Sequence, residues 1–357
     1  MRVKNAPSVG ILFGPLRRRG PTVRRRIRPR MQAKTSRASF RTPMTAILNP
    51  QSQAQGASTQ GLGRGPFRLA VALVCWTIVV ILKGAMVTST GSGMAYRDWP
   101  KADGQWLPES SYTTLPGFFE HFHRIAGAIA GLLSLTLVVH LWRCKALSSP
   151  GGRVAVLGLA LIIVQGVVGG VGVLNNTPVA LSSLHGTLAQ LTIATFAIAA
   201  YRLSARWLTT VPTPHPSAGS VRTMSMVAVV ALVVQTYIGA IARHSGNVNA
   251  LWAHVGNALV VFLLVVVASG LAAGKLASVP GIQKLAKVLL WLLVAQLVLG
   301  FVALLIRTGK DPKNVEHLLR AGLISSHVLV GSLLTVTASL LAAHVFRGAL
   351  RIEAARG

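Results

Sequence analysis

Residues 248–273 read VNALWAHVGNALVVFLLVVVASGLAA, an apolar run free of Asp, Glu, Lys and Arg that carries one histidine, His254, near its start. A stretch of that length suits a membrane-crossing helix, since a bilayer asks for roughly 20 consecutive apolar residues per crossing. Seven more runs can be marked at helical length, at about 67–87, 120–142, 153–174, 181–203, 222–242, 284–306 and 322–346. The whole chain of 357 residues is 52% hydrophobic and only 12% charged. So few charges could not cover the surface of a water-soluble protein, so lipid is the expected solvent and the bilayer the first partner.

The formal charge of +29 does not point to nucleic acid, because much of it is a tail. Met1 to Arg68 holds fifteen Lys or Arg and no acid. A segment of that composition cannot bury a core and is expected to be disordered. An Arg-rich transit peptide, a solvated tail near anionic lipid and a non-native extension upstream of Met31 or Met44 all remain open for it. Beyond the tail, alternate loops differ in charge. Arg143, Lys145, Arg153, Arg202, Arg206, Arg222, Lys275, Lys284 and Lys287 fall on one side, with Asp98, Asp103, Glu109, Asp311 and Glu316 on the other. The positive-inside rule then puts both termini inside and lets the even-numbered helices enter from outside. The two cysteines, Cys75 and Cys144, make no disulfide framework or thiolate metal site.

The chain repeats itself. Gln165 and Gly169 in the third run match Gln296 and Gly300 in the seventh, and Gln235 with Gly239 opens the second half. Ser182-Ser183-Leu184-His185 echoes Ser325-Ser326-His327, and His123 finds its counterpart in His254. The expected fold class is therefore all-α: a polytopic membrane protein with eight transmembrane helices as two repeated four-helix bundles. The expected organisation is a basic tail (1–65), an N-terminal half (66–205), an inner linker (206–220), a C-terminal half (221–350) and a short tail (351–357).

Six of the ten histidines need no function. His140 and His344 sit at inner helix ends, His215 lies in a Pro-rich loop, and His121, His244 and His317 are placed at the outer surface. His123, His185, His254 and His327 differ, because all four fall on even helices about one turn past the same boundary. An ionisable group in hydrocarbon is costly and usually functional, and imidazole is a standard axial ligand of heme iron. Each has a small residue four positions on (Gly127, Ala189, Ala258 and Gly331), which would bare the helix face below the ligand for a porphyrin. Helix packing through small residues could explain the glycines, but not four histidines at one height. The expected pairs are His123 with His185 and His254 with His327, each binding heme iron. Zinc would want further ligands nearby, and the apolar neighbours of His185, His254 and His327 offer none.

The halves are unequal. Glu120-His121-Phe122-His123-Arg124 opens the second run, whereas Leu251-Trp252-Ala253-His254 opens the sixth. Glu120, three residues before His123, shares its face and is the candidate catalytic carboxylate, able to relay protons or orient a substrate. Arg124 is then the candidate cofactor-binding cation, free to meet a heme propionate. The competing reading is that Glu120 only caps the helix or pairs with Arg124.

These stretches, together with Val87-Thr88-Ser89-Thr90-Gly91-Ser92-Gly93-Met94, Asp98-Trp99-Pro100 and Glu316-His317-Leu318-Leu319-Arg320, resemble the heme A synthases over about residues 65–350. The resemblance implies an oxidoreductase that converts the C8 methyl of heme O to a formyl group, giving heme A for cytochrome c oxidase. Two successive hydroxylations would lead to a gem-diol that loses water. It further implies that His123 and His185 serve the substrate heme, that His254 and His327 hold a resident heme b, and that Glu120 matters for activity. The implied setting is a bacterial cytoplasmic or mitochondrial inner membrane, with heme O, heme O synthase, oxidase assembly factors and an electron donor of unknown identity as partners, and with room for a homo-oligomer. Many members carry a cysteine pair in the first outer loop. This loop has none, so any redox role of that pair is absent. Trp99, Trp106 and Tyr112 in the loop suit the membrane interface, Gly91 and Gly93 a tight turn, and Asp98 a hydrogen bond within it. The alternative reading is a diheme b-type electron-transfer cytochrome, although that protein would want its histidine pairs at two depths.

Overall fold

The computed structural model describes residues 64–209, 215–308 and 316–354. Almost all of the basic tail therefore lies outside the described residues, as do Asp311 and residues 210–214 of the linker. Eight helices are long and apolar enough to cross a membrane: α1 (Arg64–Ser89), α2 (Leu115–Arg143), α3 (Pro150–Leu174), α4 (Val179–Leu203), α5 (Ala218–Ser245), α6 (Val248–Lys275), α7 (Ile282–Thr308) and α8 (His317–Ala354). Two short helical segments, Ser110–Thr113 and Ala205–Thr209, lie between them. No strand occurs among the described residues beyond an isolated bridge between Ala102 and Gln105. Both cysteines are free.

Two helices start furthest ahead of their apolar runs, α2 and α8, and capping explains both. Helix α2 begins at Leu115 rather than near 120, because Thr114 Oγ1 accepts from Gly117 N at 3.2 Å and Pro116 sits in the first turn, where its missing N–H costs nothing. Helix α8 begins at His317. There the carboxylate of Glu316 accepts from Leu318 N at 3.0 Å and Leu319 N at 2.8 Å, and these two amides hold its carboxyl below the usual glutamate range. His123 and His327 consequently lie more than one turn inside their helices.

Contacts run from α1 to α2, α3, α4 and back to α1, closing a ring of four. They run likewise through α5, α6, α7 and α8. The rings join where α4 meets α5, α8 meets α1 and α8 meets α4. Each ring has its own apolar cluster. Leu73, Leu137, Leu141, Phe196 and Leu203 fill the first, and Val265, Leu289, Leu293, Leu334 and Leu341 the second. Ile81, Ile193 and Val336 form a third cluster where α1, α4 and α8 meet. Glycines let the backbones close up. A Cβ at Gly151 or Gly158 of α3 would come within 2.7 Å of Leu203 or 2.4 Å of Phe196 on α4, the small-residue packing expected where lipid removes the hydrophobic drive between helices.

Both ring clusters draw on the starts of odd helices and the far parts of even ones. The opposite end of each ring, where even helices begin, is where the histidines lie.

Candidate functional site

Helices α2 and α4 face each other diagonally across the first ring, and α6 and α8 across the second. Their histidines meet in the middle. The His123 and His185 rings stand 6.4 Å apart, centroid to centroid, at 84°, and those of His254 and His327 stand 6.3 Å apart at 85°. Two imidazoles bound to one metal through nitrogens at about 2 Å each put their centroids on the order of 6 Å apart. Both pairs match that spacing.

Every one of the four rings lies on a glycine of the preceding odd helix. An added Cβ would come within 2.7 Å of His123 at Gly84, 2.9 Å of His185 at Gly169, 2.6 Å of His254 at Gly239 and 3.0 Å of His327 at Gly300. These bare backbone seats fix how far each imidazole projects and which way its edge faces. Glutamines latch three of the seats. Gln165 Nε2 donates to the carbonyl of His185 at 2.9 Å, and Gln235 Nε2 to that of His254 at 2.9 Å. Gln235 Oε1 also accepts from Asn257 Nδ2 at 2.7 Å, and the Gln235 carbonyl lies 3.2 Å from His254 Nδ1. Gln296 Nε2 lies 3.2 Å from His327 Nε2, a contact that a metal bond at that nitrogen would replace. On α1 the matching residue is Val80, so the His123 seat has no such latch.

The residues fit a heme. The donors are paired imidazole nitrogens, this end of each ring lies away from that ring's own apolar cluster, and a Cβ at Gly127 would meet nothing within 4 Å, leaving the surface below His123 bare as expected. Gly331 is different, because a Cβ added there would come within 3.1 Å of Gln296 Nε2. Among the described residues no three His, Cys, Asp or Glu side chains converge.

Around the first pair the surroundings differ from the expectation. Glu120 is 3% exposed and lies beyond the first turn of α2, so it is not a cap. Its Oε1 accepts from Arg124 Nη2 at 2.5 Å and its Oε2 from Tyr96 N at 3.1 Å. Arg124 is not free. Nη1 donates to the carbonyls of Asp98 (2.8 Å) and Lys101 (2.9 Å), and Nη2 also to that of Tyr96 (3.2 Å). A guanidinium spent on three loop carbonyls and a buried carboxylate has little left for a propionate. The pair clamps the 90–114 loop onto α2, and Trp99 of that loop docks on Gly170 of α3, where a Cβ would come within 2.5 Å of its ring. That glycine follows the seat of His185.

The loop is internally organised as the sequence suggests. Gly91 has φ +71°, and Asp98 accepts from Asp103 N and Gly104 N at 2.8 Å each. The Gly104 amide, followed by that of Asp103, holds the Asp98 carboxyl below the usual aspartate range against a smaller opposing effect of burial. Trp106 and Tyr112 are exposed, and so is Trp99, at 43%, although one part of its ring meets Gly170.

Three features escaped the sequence. Gly84 seats His123, and the Gln-to-Gly spacing of four would have found it had Val80 not replaced the glutamine. His121, assigned to the surface, is 5% exposed and packs against Tyr96 and Phe122, because the loop folds over it. His344 bonds to the Tyr201 hydroxyl rather than merely reaching the boundary.

The fold and site define a class: an integral membrane protein with eight apolar helices among the described residues and two close histidine pairs in the bundle interior. A family model described as Cytochrome oxidase assembly protein (COX15-CtaA) matches residues 67–257, more than half of the chain, and the chain belongs to that family. Curated relatives include a Heme A synthase of Geobacillus kaustophilus, 30% identical over 118 residues (33% of this chain, 37% of that protein). A Heme A synthase of Roseobacter denitrificans is 34% identical over 131 residues (34% of each). One of Symbiobacterium thermophilum is 29% identical over 174 residues (47% of this chain, 56% of that protein). The chain thus spans from about a third to a little over half of the length of these relatives.

Proposed function

We propose that this chain is a heme A synthase, oxidising the C8 methyl of heme O to a formyl group to supply heme A to cytochrome c oxidase. One observation carries the assignment of roles: two histidine pairs of nearly equal geometry have unequal surroundings, and only the first has a buried carboxylate and a loop clamped beside it. The relatives' names supply the substrate class.

His123 and His185 hold the substrate heme O between diagonal helices, and Gly84 and Gly169 set their reach. The 90–114 loop, fastened by Arg124 and by Trp99 on Gly170, shields this end from water. Glu120, one turn before His123, keeps unused lone pairs on a carboxylate fixed at both oxygens, so it can accept and return protons as the methyl is oxidised. In each of two hydroxylations of the methyl carbon, dioxygen gives one atom to the carbon while two electrons from the external donor and two protons reduce the other atom to water; the resulting gem-diol loses water to give the aldehyde. His254 and His327 hold a resident heme b. When bound, that group supplies one-electron chemistry at its iron. The two rings act as duplicated units, residues 66–205 and 221–350, with both termini inside and the histidine end facing out, in a bacterial cytoplasmic or mitochondrial inner membrane.

Both pairs lie at the end where even helices begin, which disfavours a cytochrome relaying electrons across the bilayer. The test is co-production with a heme O synthase under air, followed by extraction of the hemes. Heme A or its hydroxylated precursor is expected. Accumulation of heme O alone would overturn the synthase reading.

A further inference from the structure

Among the described residues, two arginines of the second ring have no carboxylate partner. Arg243 lies in the last turn of α5, four residues beyond Gly239, so it shares the face that seats His254. Its Nη2 donates to the Ala85 carbonyl and to Ser89 Oγ, both on α1 and both at 2.7 Å. Ser89 Oγ in turn lies 3.1 Å from Ser325 Oγ, two residues before His327. The guanidinium is therefore directed into the junction of three helices, not outward as a snorkelling cation would be. Arg307 stands seven residues beyond Gly300, the seat of His327, and donates Nη2 to the Ala242 carbonyl at 3.3 Å. Ala242 is the residue directly before Arg243, so this bond brings both cations to the same end of the second ring.

Like charges brought together inside apolar spans are costly. Among the described residues no carboxylate lies within 4.0 Å of either guanidinium, the one such pair being Arg124 with Glu120. An anion received between them would relieve the repulsion and gain charge-assisted hydrogen bonds. The first ring offers no equivalent: Thr88 stands four residues beyond Gly84, and Asn176 seven beyond Gly169.

We infer that Arg243 and Arg307 form the anion-binding end of the His254–His327 pocket and hold a propionate carboxylate of the heme bound there. The inference rests on the heme reading of that pair. It gives the resident group a fixed orientation, with its carboxylate edge toward α1 and the first ring.

The test titrates full-length protein, produced under heme limitation, with heme b and with its dimethyl ester, whose propionates carry no charge. Wild-type protein is expected to favour the free acid by about tenfold or more, the worth of one charge-assisted hydrogen bond. Arg243→Gln is expected to bring that preference close to unity while leaving affinity for the ester within about threefold. A preserved preference, or an equal loss of both ligands, would overturn the anion site and reduce Arg243 to a tie between helices. Ser89→Ala, which keeps both cations, should retain the preference, and its loss there would also count against the site. Should Arg243→Gln fail to accumulate, Arg307→Gln is read in the same way: a reduced preference supports the site and an unchanged one overturns it. His327→Ala separates the two levels. Loss of both ligands supports the heme reading whatever the arginines do, whereas wild-type binding by that variant sinks the reading itself.

Discussion

The first and second rings build the same ligand geometry and surround it with different chemistry. Their imidazole pairs differ by 0.1 Å in spacing (6.4 against 6.3 Å) and by a degree in tilt. All four histidines rest on glycines. Yet the first ring adds Glu120, Arg124 and a docked loop and has Val80 where a glutamine would latch the seat, whereas the second has Gln235 and Gln296 on its odd helices together with Arg243 and Arg307. The placement of each histidine is set by a bare backbone seat of the same kind in both rings. What a pair does is set by side chains one turn away, and these have diverged.

The largest expected effect that would break this comparison comes from Glu120. Glu120→Ala should keep b-type absorbance at the wild-type level while heme A yield falls by about a hundredfold or more, as removal of an acid–base group does. Undiminished yield would leave Glu120 only its part in clamping the loop. Next come the seats. Gly239→Ala and Gly84→Ala each put a Cβ under 3.0 Å from a histidine ring, an overpacking worth about 1–3 kcal/mol. The first should lower heme b content and the second only heme A yield, so identical outcomes would erase the distinction between the rings. A smaller effect is expected from Trp99→Ala, which frees the loop from Gly170. Limited proteolysis within residues 90–114 should quicken with little change in heme b content.

The smallest effect concerns pH. Because the Asp98 carboxyl is held below its usual value near 3.9, its contribution to loop stability is present above that value and is lost as pH falls through the lower folded value. Loop protection against proteolysis should therefore hold at neutral pH and weaken only below about pH 4. Asp98→Asn should remove that acid transition, and a transition persisting in the variant would place its origin elsewhere.

Much of the fold was legible because apolar run length is a local signal. Residues 248–273 were read as the span that appears as α6, and repeat spacing brought the four histidines forward as two pairs. The missed features depend on partners distant in sequence. Arg124 looked free because its loop acceptors, Asp98, Lys101 and Tyr96, lie more than twenty residues away and nothing local marks them. Nothing local marks Arg243, because its acceptors, the Ala85 carbonyl and Ser89 Oγ, lie on α1. Gly84 went unnoticed since Val80 breaks the marker its three counterparts carry. His121 was misplaced at the surface because burial beneath a folded loop leaves no trace in a hydrophobic pattern.

The most direct test of the inequality of the two pairs is a side-by-side measurement of heme b per polypeptide and heme A yield in His185→Ala and His327→Ala, each co-produced with a heme O synthase. The expected result is that His327→Ala loses the b-type absorbance, whereas His185→Ala keeps it and makes no heme A. Equal loss of bound heme in both variants, or heme A formed by His185→Ala at the wild-type level, would contradict the account.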